Sequence, residues 1–584
     1  MSILTSCIRQ DPEYLQLLRT AERNFRTKPL PILASGLCEG ASDAFLVSLI
    51  EDTAKARGGS PALVLCPEEK DCVRLTGILE RCGLRAAFYM TRDLTFYNIT
   101  ASHEYEHERL RVLSGIQNGD FDAVITTPDA CLGYTIPPKH LREKMLHVDD
   151  SMILEPKKLA ASLVAAGYVR TETVDSPGQF ALRGGIVDVY PPSGAFLDGD
   201  GGKKSGAFAL RMEFFGDEID RMGLFDPDTQ RMSEDVTAAD FAPARELLTT
   251  PESLQALKKA LAAQLKSAHD ERAVEELVKE ARAVEDAIGG SRDVHFLDKY
   301  ITLIYPERTS LMDYFDRTTL LCIRNTNAVY DRIKASQWHL DQTVTDLLES
   351  GTIAPKYTDY AKPASAFALF CDANVTVHID SIAHSISDRR LSGLFGFRTR
   401  HTVSYADNMP LFLEDLHGYV QSGYRCLILT ENETEARTTE ETLRNASFVV
   451  TDLATFTEQA ERGTVAVISD GAIAGFELPV PKFAVLSAGP DARTGGLSLA
   501  SKSAIRKKKK KNSKSILSYA ELENGDYVVH ESYGIGQYTG IESLTCEGIT
   551  RDYIGIQYAG SDKLFVPVEQ LDKVSKYIGA HSDD

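Results

Sequence analysis

Apolar and polar positions in the first part of the chain alternate between short apolar runs and longer stretches of helical periodicity. Each run has the length of a buried strand, and each helical stretch places its apolar side chains on one face. Strands are predicted at residues 30–34, 62–66 and 123–127. Helices are predicted at residues 41–56, 68–82 and 104–116. Strands that alternate with helices predict a parallel α/β sheet.

The pattern changes between residues 145 and 231, where strand-like segments follow one another. Strands are predicted at residues 168–174, 179–190 and 207–215. Gly184 and Gly185 interrupt the second of these, which predicts a bulge or a sharp bend at that point. The segment therefore predicts an α+β insertion whose sheet is open on one face.

Helical and α/β patterns return after this insertion. Residues 251–288 are rich in Ala, Leu, Glu and Lys and predict a long helix or a helical hairpin. Apolar runs at residues 300–305 and 319–323 predict strands that complete the first sheet. Residues 385–488 predict a third α/β unit, with strands at 426–430 and 464–469 and a helix at 433–445.

The C-terminal part combines short strands with glycine turns. Strands are predicted at residues 526–530, 553–558 and 563–568, with Gly534, Gly536 and Gly540 between the first two and a short helical tail at the end. Closely spaced short strands are typical of a small closed barrel. The polar segment before it contains the basic run 506–511, which we interpret as a solvated linker. Release of counterions would let this run touch DNA weakly.

These patterns predict an α/β multidomain protein. It would contain a degenerate P-loop helicase-like α/β domain with an α+β insertion, a third α/β domain and a small C-terminal β-barrel. The two parts of the first domain are predicted at residues 1–130 and 236–380, the insertion at 131–235, the third domain at 385–490, the linker at 491–517 and the barrel at 518–584.

Composition narrows the classes of protein that remain. The chain has 584 residues and a net charge of -20, so its surface as a whole repels nucleic acid. Its ten cysteines are scattered in no zinc-binding pattern, which favours reduced thiols in the cytoplasm and no metal. No apolar run is long enough to cross a bilayer. We therefore expect a cytoplasmic monomer with no cofactor and no membrane contact.

The loop after the first predicted strand lies where a phosphate-binding loop would lie. Such a loop needs G-x-x-x-x-G-K-[ST], in which the lysine reaches the phosphates and the hydroxyl holds magnesium. Here Gly36 and Gly40 provide the glycines, but Ala41 stands before Ser42 and Glu39 adds a negative charge. The loop is therefore either a degenerate P-loop or an ordinary strand–loop–helix turn, and we expect no NTPase activity.

Two sequence blocks are more specific. Residues 178–192 read GQFALRGGIVDVYPP, and residues 211–221 read RMEFFGDEIDR. They resemble the UvrA-interacting domain that UvrB shares with transcription-repair-coupling factors (Mfd). DYVVHESYGIGQY at 526–538 and KLFVPVEQL at 563–571 resemble the RNA polymerase-interacting domain of the same factors, which is related to CarD and has a Tudor-like barrel. The order of the blocks matches, and the resemblance covers essentially the whole chain.

The resemblance implies a factor that links stalled RNA polymerase to UvrA and nucleotide excision repair. The implied UvrA-binding residues are Arg170, Phe180, Arg183 and Arg211. Arginines on a sheet face can pair with partner carboxylates, and a central aromatic side chain can anchor them. The implied contact with the RNA polymerase β subunit is an exposed strand edge that binds by β-augmentation. Its candidate residues are Ile541, Leu544, Ile549, Arg551 and Tyr553.

Members of this family continue into a helicase motor that translocates on DNA, and we find no motor motif in this chain. We therefore expect it to be a binding scaffold and no enzyme. Residues 96–109 are short for the damage-probing hairpin of UvrB. Two alternatives remain. A UvrB-like helicase or excision protein would need the lysine that Ala41 replaces, and residues 183–192 argue against a CarD-like regulator with an unrelated N-terminal region.

Overall fold

The computed structural model divides the chain into two compact units, Met1–Thr494 and Gly495–Asp584. The residues that it describes are 3–27, 29–92, 104–268, 270–288, 294, 296–383, 390–402, 405, 408–430, 432–459, 461–469, 474–487, 513–515, 525, 527–530, 534–546, 549–557, 563–567 and 574–577. Among them, no helix is both long enough and apolar enough to cross a membrane.

The first unit contains both helices and strands. The helices are α1 (Ile3–Ile8), α2 (Pro12–Arg26), α3 (Glu39–Thr53), α4 (Glu69–Arg81), α5 (Glu104–Asn118), α6 (Pro128–Leu132), α7 (Pro138–Lys144), α8 (Pro156–Ala165), α9 (Pro251–Leu265), α10 (Glu271–Ile288), α11 (Ile301–Ile304), α12 (Thr326–Glu349), α13 (Ala364–Ala373), α14 (Met409–Gln421), α15 (Glu433–Asn445) and α16 (Leu453–Gln459). Short 3-10 helices span Leu297–Tyr300, Leu311–Tyr314 and Pro355–Tyr357.

The strands of the first unit belong to four sheets. They are β1 (Ile32–Ser35), β2 (Ala62–Leu65), β3 (Ala86–Tyr89), β4 (Ala123–Thr126), β5 (Leu146–Asp149), β6 (Val169–Arg170), β7 (Gln179–Arg183), β8 (Ile186–Tyr190), β9 (Gly194–Leu197), β10 (Lys203–Gly206), β11 (Ala209–Phe215), β12 (Glu218–Phe225), β13 (Met232–Asp235), β14 (Ala238–Phe241), β15 (Leu320–Arg324), β16 (Val375–Asp380), β17 (Gly393–Gly396), β18 (Arg400–His401), β19 (Arg425–Leu429), β20 (Val465–Ile468), β21 (Phe476–Leu478) and β22 (Phe483–Ser487).

The predicted parallel α/β sheet is confirmed. Seven strands pair in the order β17-β1-β16-β15-β2-β4-β3, and every pair is parallel. Alternate residues of β2 enter different cores, with Val64 on the side of α3 and Leu63 on the side of α5. Both faces are therefore covered, as a parallel sheet requires. The edge strand β17 comes from the segment predicted for the third α/β domain.

The strand predicted at residues 300–305 is wrong. This segment forms a 3-10 turn, Leu297–Tyr300, followed by α11. The apolar residues that it buries are Leu297, Tyr300, Ile301 and Tyr305. Their spacing is helical, so the apolar run contacts the core along one helical face. The prediction at 319–323 is confirmed by β15, which lies in the middle of the sheet.

The insertion contains two sheets, ordered β13-β12-β11-β8-β7-β6 and β10-β9-β14-β5. The segment predicted as a strand at 179–190 forms the hairpin β7–β8, with Gly184 and Gly185 as its two-residue turn. Gly184 has a φ of 62°, which glycine adopts without steric cost. The strand predicted at 207–215 corresponds to β11, whereas only Val169–Arg170 of the segment 168–174 is a strand.

A buried ion pair fastens the end of the insertion to the first domain. The Glu246 carboxylate accepts hydrogen bonds from Arg109 Nε at 3.0 Å and from Arg109 Nη2 at 2.9 Å. Arg109 projects from α5, which packs on the first sheet. Arg92 adds a second guanidinium 3.4 Å from the same carboxylate. These contacts join segments that are far apart in the sequence.

The helical hairpin predicted at 251–288 is confirmed by α9 and α10, which pack against each other. Glu280 on α10 forms a buried ion pair with Lys299, with 2.6 Å between Oε1 and Nζ. Burial raises the pKa of Glu280 to about 7, and the Lys299 ammonium opposes that rise. The hairpin is therefore fixed to the following segment by a charge pair that water does not reach.

The third α/β unit contains a mixed sheet in the order β18-β21-β22-β19-β20. Its predicted strands at 426–430 and 464–469 and its predicted helix at 433–445 correspond to β19, β20 and α15. Leu427 and Phe476 of this sheet belong to the same apolar core as Phe45 of α3. The third unit therefore shares a core with the first sheet.

The C-terminal unit contains β23 (Ser513–Ser515), β24 (Tyr527–His530), β25 (Gly534–Cys546), β26 (Ile549–Gln557), β27 (Lys563–Pro567) and β28 (Val574–Tyr577), paired in the order β23-β28-β24-β25-β26-β27. All described pairs are antiparallel. Gly536 and Gly540 lie inside the long strand β25 and do not end it. The predicted helical tail is wrong, because β28 pairs there with β24.

Replacement of Lys299 by methionine is expected to destabilise the first unit by about 3–5 kcal/mol, because it leaves the Glu280 carboxyl buried without its partner. Urea unfolding followed by far-ultraviolet circular dichroism measures this change. Lys279→Met is the control, since Lys279 lies on α10, the helix of Glu280, and pairs with Glu276 on the surface of that helix. The control should leave the unfolding midpoint unchanged, because an exposed ion pair contributes little to stability. Equal unfolding midpoints for the two variants would contradict the assigned role of Lys299.

Candidate protein-binding surfaces

The six-stranded sheet of the insertion has one apolar face and one charged face. Phe180 and Met212 lie on the apolar side, in the core of the insertion. The strand register places Arg183, Asp188 and Arg211 on the opposite side. We call this side the arginine face.

Asp188 is the centre of the arginine face and is fully buried. Its carboxylate accepts hydrogen bonds from Arg211 Nε at 2.7 Å, from Arg211 Nη2 at 2.9 Å and from Arg183 Nη2 at 2.6 Å. The guanidinium carbon of Arg211 also lies 4.7 Å from the centroid of the Phe225 ring. The hydrogen bond to Asp188 raises the pKa of Arg211. One carboxylate therefore orients two arginines.

The two arginines differ in what they can offer to a partner. Arg183 retains 44% of its side-chain exposure, whereas Arg211 retains 14%. Arg211 also donates to the Gln230 carbonyl oxygen at 3.0 Å, so its donors are used within the domain. Arg183 is therefore the arginine of the pair that can reach a partner carboxylate, and Arg211 holds Asp188 in place.

Phe180 and Arg170 do not lie with these arginines. Phe180 is fully buried, so its predicted role as a contact residue is wrong and its side chain belongs to the core. The cause is the two-residue period of a strand, which turns Phe180 away from the face that carries Arg183. Arg170 is exposed on the edge strand β6, but its register pairs it with Phe180. The sheet therefore brings Arg183 and Arg211 together and separates them from the other two candidates.

An exposed aromatic residue that the resemblance does not imply lies in the same sheet as Arg183. Phe215 ends β11, on the same face as Arg211, and is 82% exposed. The strand period of β11 places Met212 and Phe214 in the core and so turns Phe215 to the opposite face. The signal that could have identified it is the Gly216–Asp217 pair after it, which is typical of a hairpin turn.

The loop between β1 and α3 is filled by backbone from a later part of the chain. A Cβ atom on Gly36 would overlap the Phe397 carbonyl oxygen, and one on Gly40 would overlap the Ala474 carbonyl oxygen. The Thr399 hydroxyl donates to the Gly36 carbonyl oxygen at 2.8 Å. The third α/β unit therefore occupies the space beside this loop.

The first turn of α3 carries its own internal counter-charges. Ala41 and Ser42 are buried there, and the Asp43 carboxylate that follows is fully buried. Asp43 accepts from Arg74 Nη1 at 2.6 Å and lies 2.8 Å from Arg324 Nη1. Two arginines at the carboxyl edge of the parallel sheet, where ligands usually bind in such folds, are thus held by a side chain of the protein itself.

The candidate polymerase-binding residues lie in one hairpin. Ile541 and Leu544 are in β25, and Ile549, Arg551 and Tyr553 are in β26. The register pairs Ile541 with Ile554 and Leu544 with Arg551 in the two strands of this hairpin. Their side chains lie outside the described residues. In the described part of the sheet, residues 541–546 of β25 pair with β26 alone.

Comparisons with known proteins match both surfaces. The family model of the UvrB interaction domain matches residues 146–247, which include the arginine face. The family model of the CarD-like/TRCF RID domain matches residues 522–578, which include the β25–β26 hairpin. The transcription-repair-coupling factor of Bacillus subtilis is 29% identical over 573 residues, or 94% of this chain and 45% of that protein.

The chain is similar to transcription-repair-coupling factors over nearly its whole length. The factor of Staphylococcus aureus is 24% identical over 604 residues, or 99% of this chain and 47% of that protein. The factor of Staphylococcus haemolyticus is 26% identical over 493 residues, or 82% of this chain and 40% of that protein. The chain thus spans somewhat less than half the length of these transcription-repair-coupling factors.

Phe180 and Phe215 should respond in opposite ways to truncation. Phe180→Ala is expected to destabilise the first unit by about 3–5 kcal/mol, because it leaves a cavity in the insertion core. Phe215→Ala should change stability by about 0.5 kcal/mol or less, because its ring is in solvent. Thermal and urea unfolding of the two variants measure the difference. A stable Phe180→Ala variant would return Phe180 to the list of surface candidates.

Proposed function

We propose that this chain is a scaffold for transcription-coupled DNA repair, which binds UvrA through the arginine face and RNA polymerase through the C-terminal unit. Similarity to transcription-repair-coupling factors supports this proposal, together with the two domain matches. The observation that carries it is the arginine face itself, where a buried carboxylate presents Arg183 on an open sheet. We propose the domain boundaries given above, except that the UvrA-binding domain, given there as residues 131–235, continues to include β14 (Ala238–Phe241), which pairs with β5 and β9.

The arginine face suits a partner that offers carboxylates. Arg183 is partly exposed and already oriented by Asp188, so little side-chain entropy is lost when a partner carboxylate binds. A hydrogen-bonded charge pair at the centre of an interface contributes more than one at its rim. Arg170 lies on the edge strand of the same sheet and would reach a partner that extends around that edge.

Arg183→Glu is expected to weaken binding to UvrA by about 2–4 kcal/mol, since it reverses the charge at the contact and repels Asp188. Isothermal titration of the full chain with UvrA measures the affinity. Arg444→Glu is the control, because Arg444 forms a single surface ion pair in the third α/β unit. Its affinity should match that of the unmodified chain. An unchanged affinity for a folded Arg183→Glu variant would remove Arg183 from the interface.

For the C-terminal unit we propose contact with the RNA polymerase β subunit along the β25–β26 hairpin. The matched domain supports this choice. So does the hairpin itself, because residues 541–546 of β25 pair only with β26 among the described residues. An unpaired strand edge binds an added strand through backbone hydrogen bonds. Closure of this sheet into a small Tudor-like barrel would leave that hairpin as its projecting part.

Thr550→Pro is expected to weaken binding to the β subunit about tenfold or more, because proline removes a backbone donor from β26. Thr550→Ala is the matched control, since it keeps the N–H group, and it should bind like the unmodified chain. Titration of the full-length variants with the β-subunit lobe measures both affinities. If the two variants bind equally well, the docking edge lies elsewhere in the sheet.

We propose that the β1–α3 loop is a degenerate P-loop and that these residues perform no ATP-driven step. The contacts of Gly36 and Gly40 with later backbone, and the ion pairs of Asp43, support this proposal. DNA translocation would then belong to parts of the relatives that this chain does not match. Contact with DNA in this chain would be weak and would come from the basic run 506–511, which lies outside the described residues.

Titration with magnesium–ATP should give no saturable heat, because the place for the phosphates is occupied by the protein and the P-loop lysine is replaced by Ala41. Ala41→Lys should not restore binding, since the Phe397 and Ala474 carbonyl groups still fill the loop. Saturable binding that Ser42→Ala abolishes would show that the loop is a working nucleotide site.

A further inference from the structure

Two large apolar side chains are exposed at one end of the insertion. Phe215 is 82% exposed and Ile153 is 78% exposed. Single exposed apolar residues are common on protein surfaces and need no explanation. These two, however, belong to one row of a sheet.

The strand register defines this row. Phe215 pairs with Glu218 across the β11–β12 hairpin, and Glu218 pairs with Ile153 on its other side. The Leu154 N–H donates to the Asp217 carbonyl oxygen at 2.7 Å, which holds the third segment in place. Directly paired residues project from the same face, and neighbouring strands are about 4.8 Å apart. Phe215 and Ile153 therefore flank Glu218 about 10 Å apart. We call Ile153 and residues 215–218 the hairpin tip.

The hairpin tip is held firmly. Phe214 and Ile219, the residues beside it, are packed in the core of the insertion. The Phe214 N–H also donates to the Gly185 carbonyl oxygen at 2.7 Å, so the tip is fastened to the turn that follows Arg183. A rigid apolar anchor loses little conformational entropy when it enters a partner.

The charges around the hairpin tip are mainly acidic, because Arg221, which lies opposite Glu213, already bonds Asp235 at 2.8 Å. Asp217 and Glu218 are exposed within it, and Glu213 lies on the same face of β11. Lys158 is nearby, but its ammonium pairs with Glu155 at 2.8 Å. An apolar row with a negative border fits an apolar cleft that lysine or arginine side chains surround.

We propose that the hairpin tip inserts into an apolar cleft of UvrA that is bordered by basic side chains, as a contact separate from that of Arg183. This proposal rests on the proposed function of the arginine face. The two contacts differ in chemistry, because Arg183 seeks a carboxylate whereas the hairpin tip seeks an apolar surface with positive charge around it. Together they would fix both the position and the orientation of the sheet on its partner.

The test is isothermal titration of the full chain and its variants with UvrA. Phe215→Ser should weaken binding about tenfold or more, as expected for a central aromatic anchor. Glu218→Lys should also weaken binding, because it places a positive charge against a basic border. The loss of affinity should be larger at low salt than at high salt. Leu369→Ser is the matched control, since Leu369 is 70% exposed on α13, outside the insertion. Its affinity should stay within about twofold of the unmodified chain.

The outcomes separate the two proposals. If Arg183→Glu weakens binding and Phe215→Ser does not, the hairpin tip is no anchor and the proposed function stands. If the unmodified chain does not bind UvrA, the proposed function fails and the hairpin-tip proposal fails with it. Sedimentation of the chain alone tests whether the hairpin tip binds a second copy of the chain instead. A dimer that Phe215→Ser abolishes, with UvrA binding unchanged, would assign the tip to that second copy and overturn the proposal. Thermal unfolding confirms that each variant is folded.

Discussion

A buried carboxylate needs a cation beside it, and this requirement organises the first unit. Asp43, Asp188, Glu246 and Glu280 are all buried, and each has a basic partner from another element. Loss of one partner from such a pair is much more costly than loss of a surface charge. These pairs therefore specify which helices and strands meet, while apolar burial supplies most of the stability.

The same requirement gives two different results in two places. At Asp43 the arginines are held inside the protein, at the sheet edge where a ligand would otherwise bind. At Asp188 one arginine is held inside and the other, Arg183, is presented outward. The difference lies in whether another layer of the structure packs over the arginines. The third α/β unit packs beside α3, whereas the arginine face has no such layer over Arg183 among the described residues.

Sequence patterns predicted the elements whose side chains follow a single period. The alternating strands and helices of the first sheet and the α9–α10 hairpin are of this kind, as are the paired strands on either side of Gly184. The wrong strand prediction at residues 300–305 arose because both a strand period and a helical period fit the same apolar run. Residues 297–305 bury side chains at helical spacing although the run itself resembles a strand.

The resemblance predicted only part of the arginine face, because it does not show which way each strand residue points. Arg183 and Arg211 were identified from their sequence blocks, and the sheet brings them together on Asp188. The same resemblance implies Phe180 as a contact residue, but the alternation of side chains along a strand turns Phe180 to the face opposite Arg183. Phe215 follows the strand period of β11, which places Leu210, Met212 and Phe214 in the core and Phe215 in solvent, but it matches no residue that the resemblance implies.

The core that the first sheet shares with the third α/β unit has a mechanical consequence. Leu427 and Phe476 pack with Phe45, and the Gly36 and Gly40 loop is wedged against the same unit, so the two cannot swivel independently. Ser487, at the end of β22, is therefore held at a fixed distance from the first sheet.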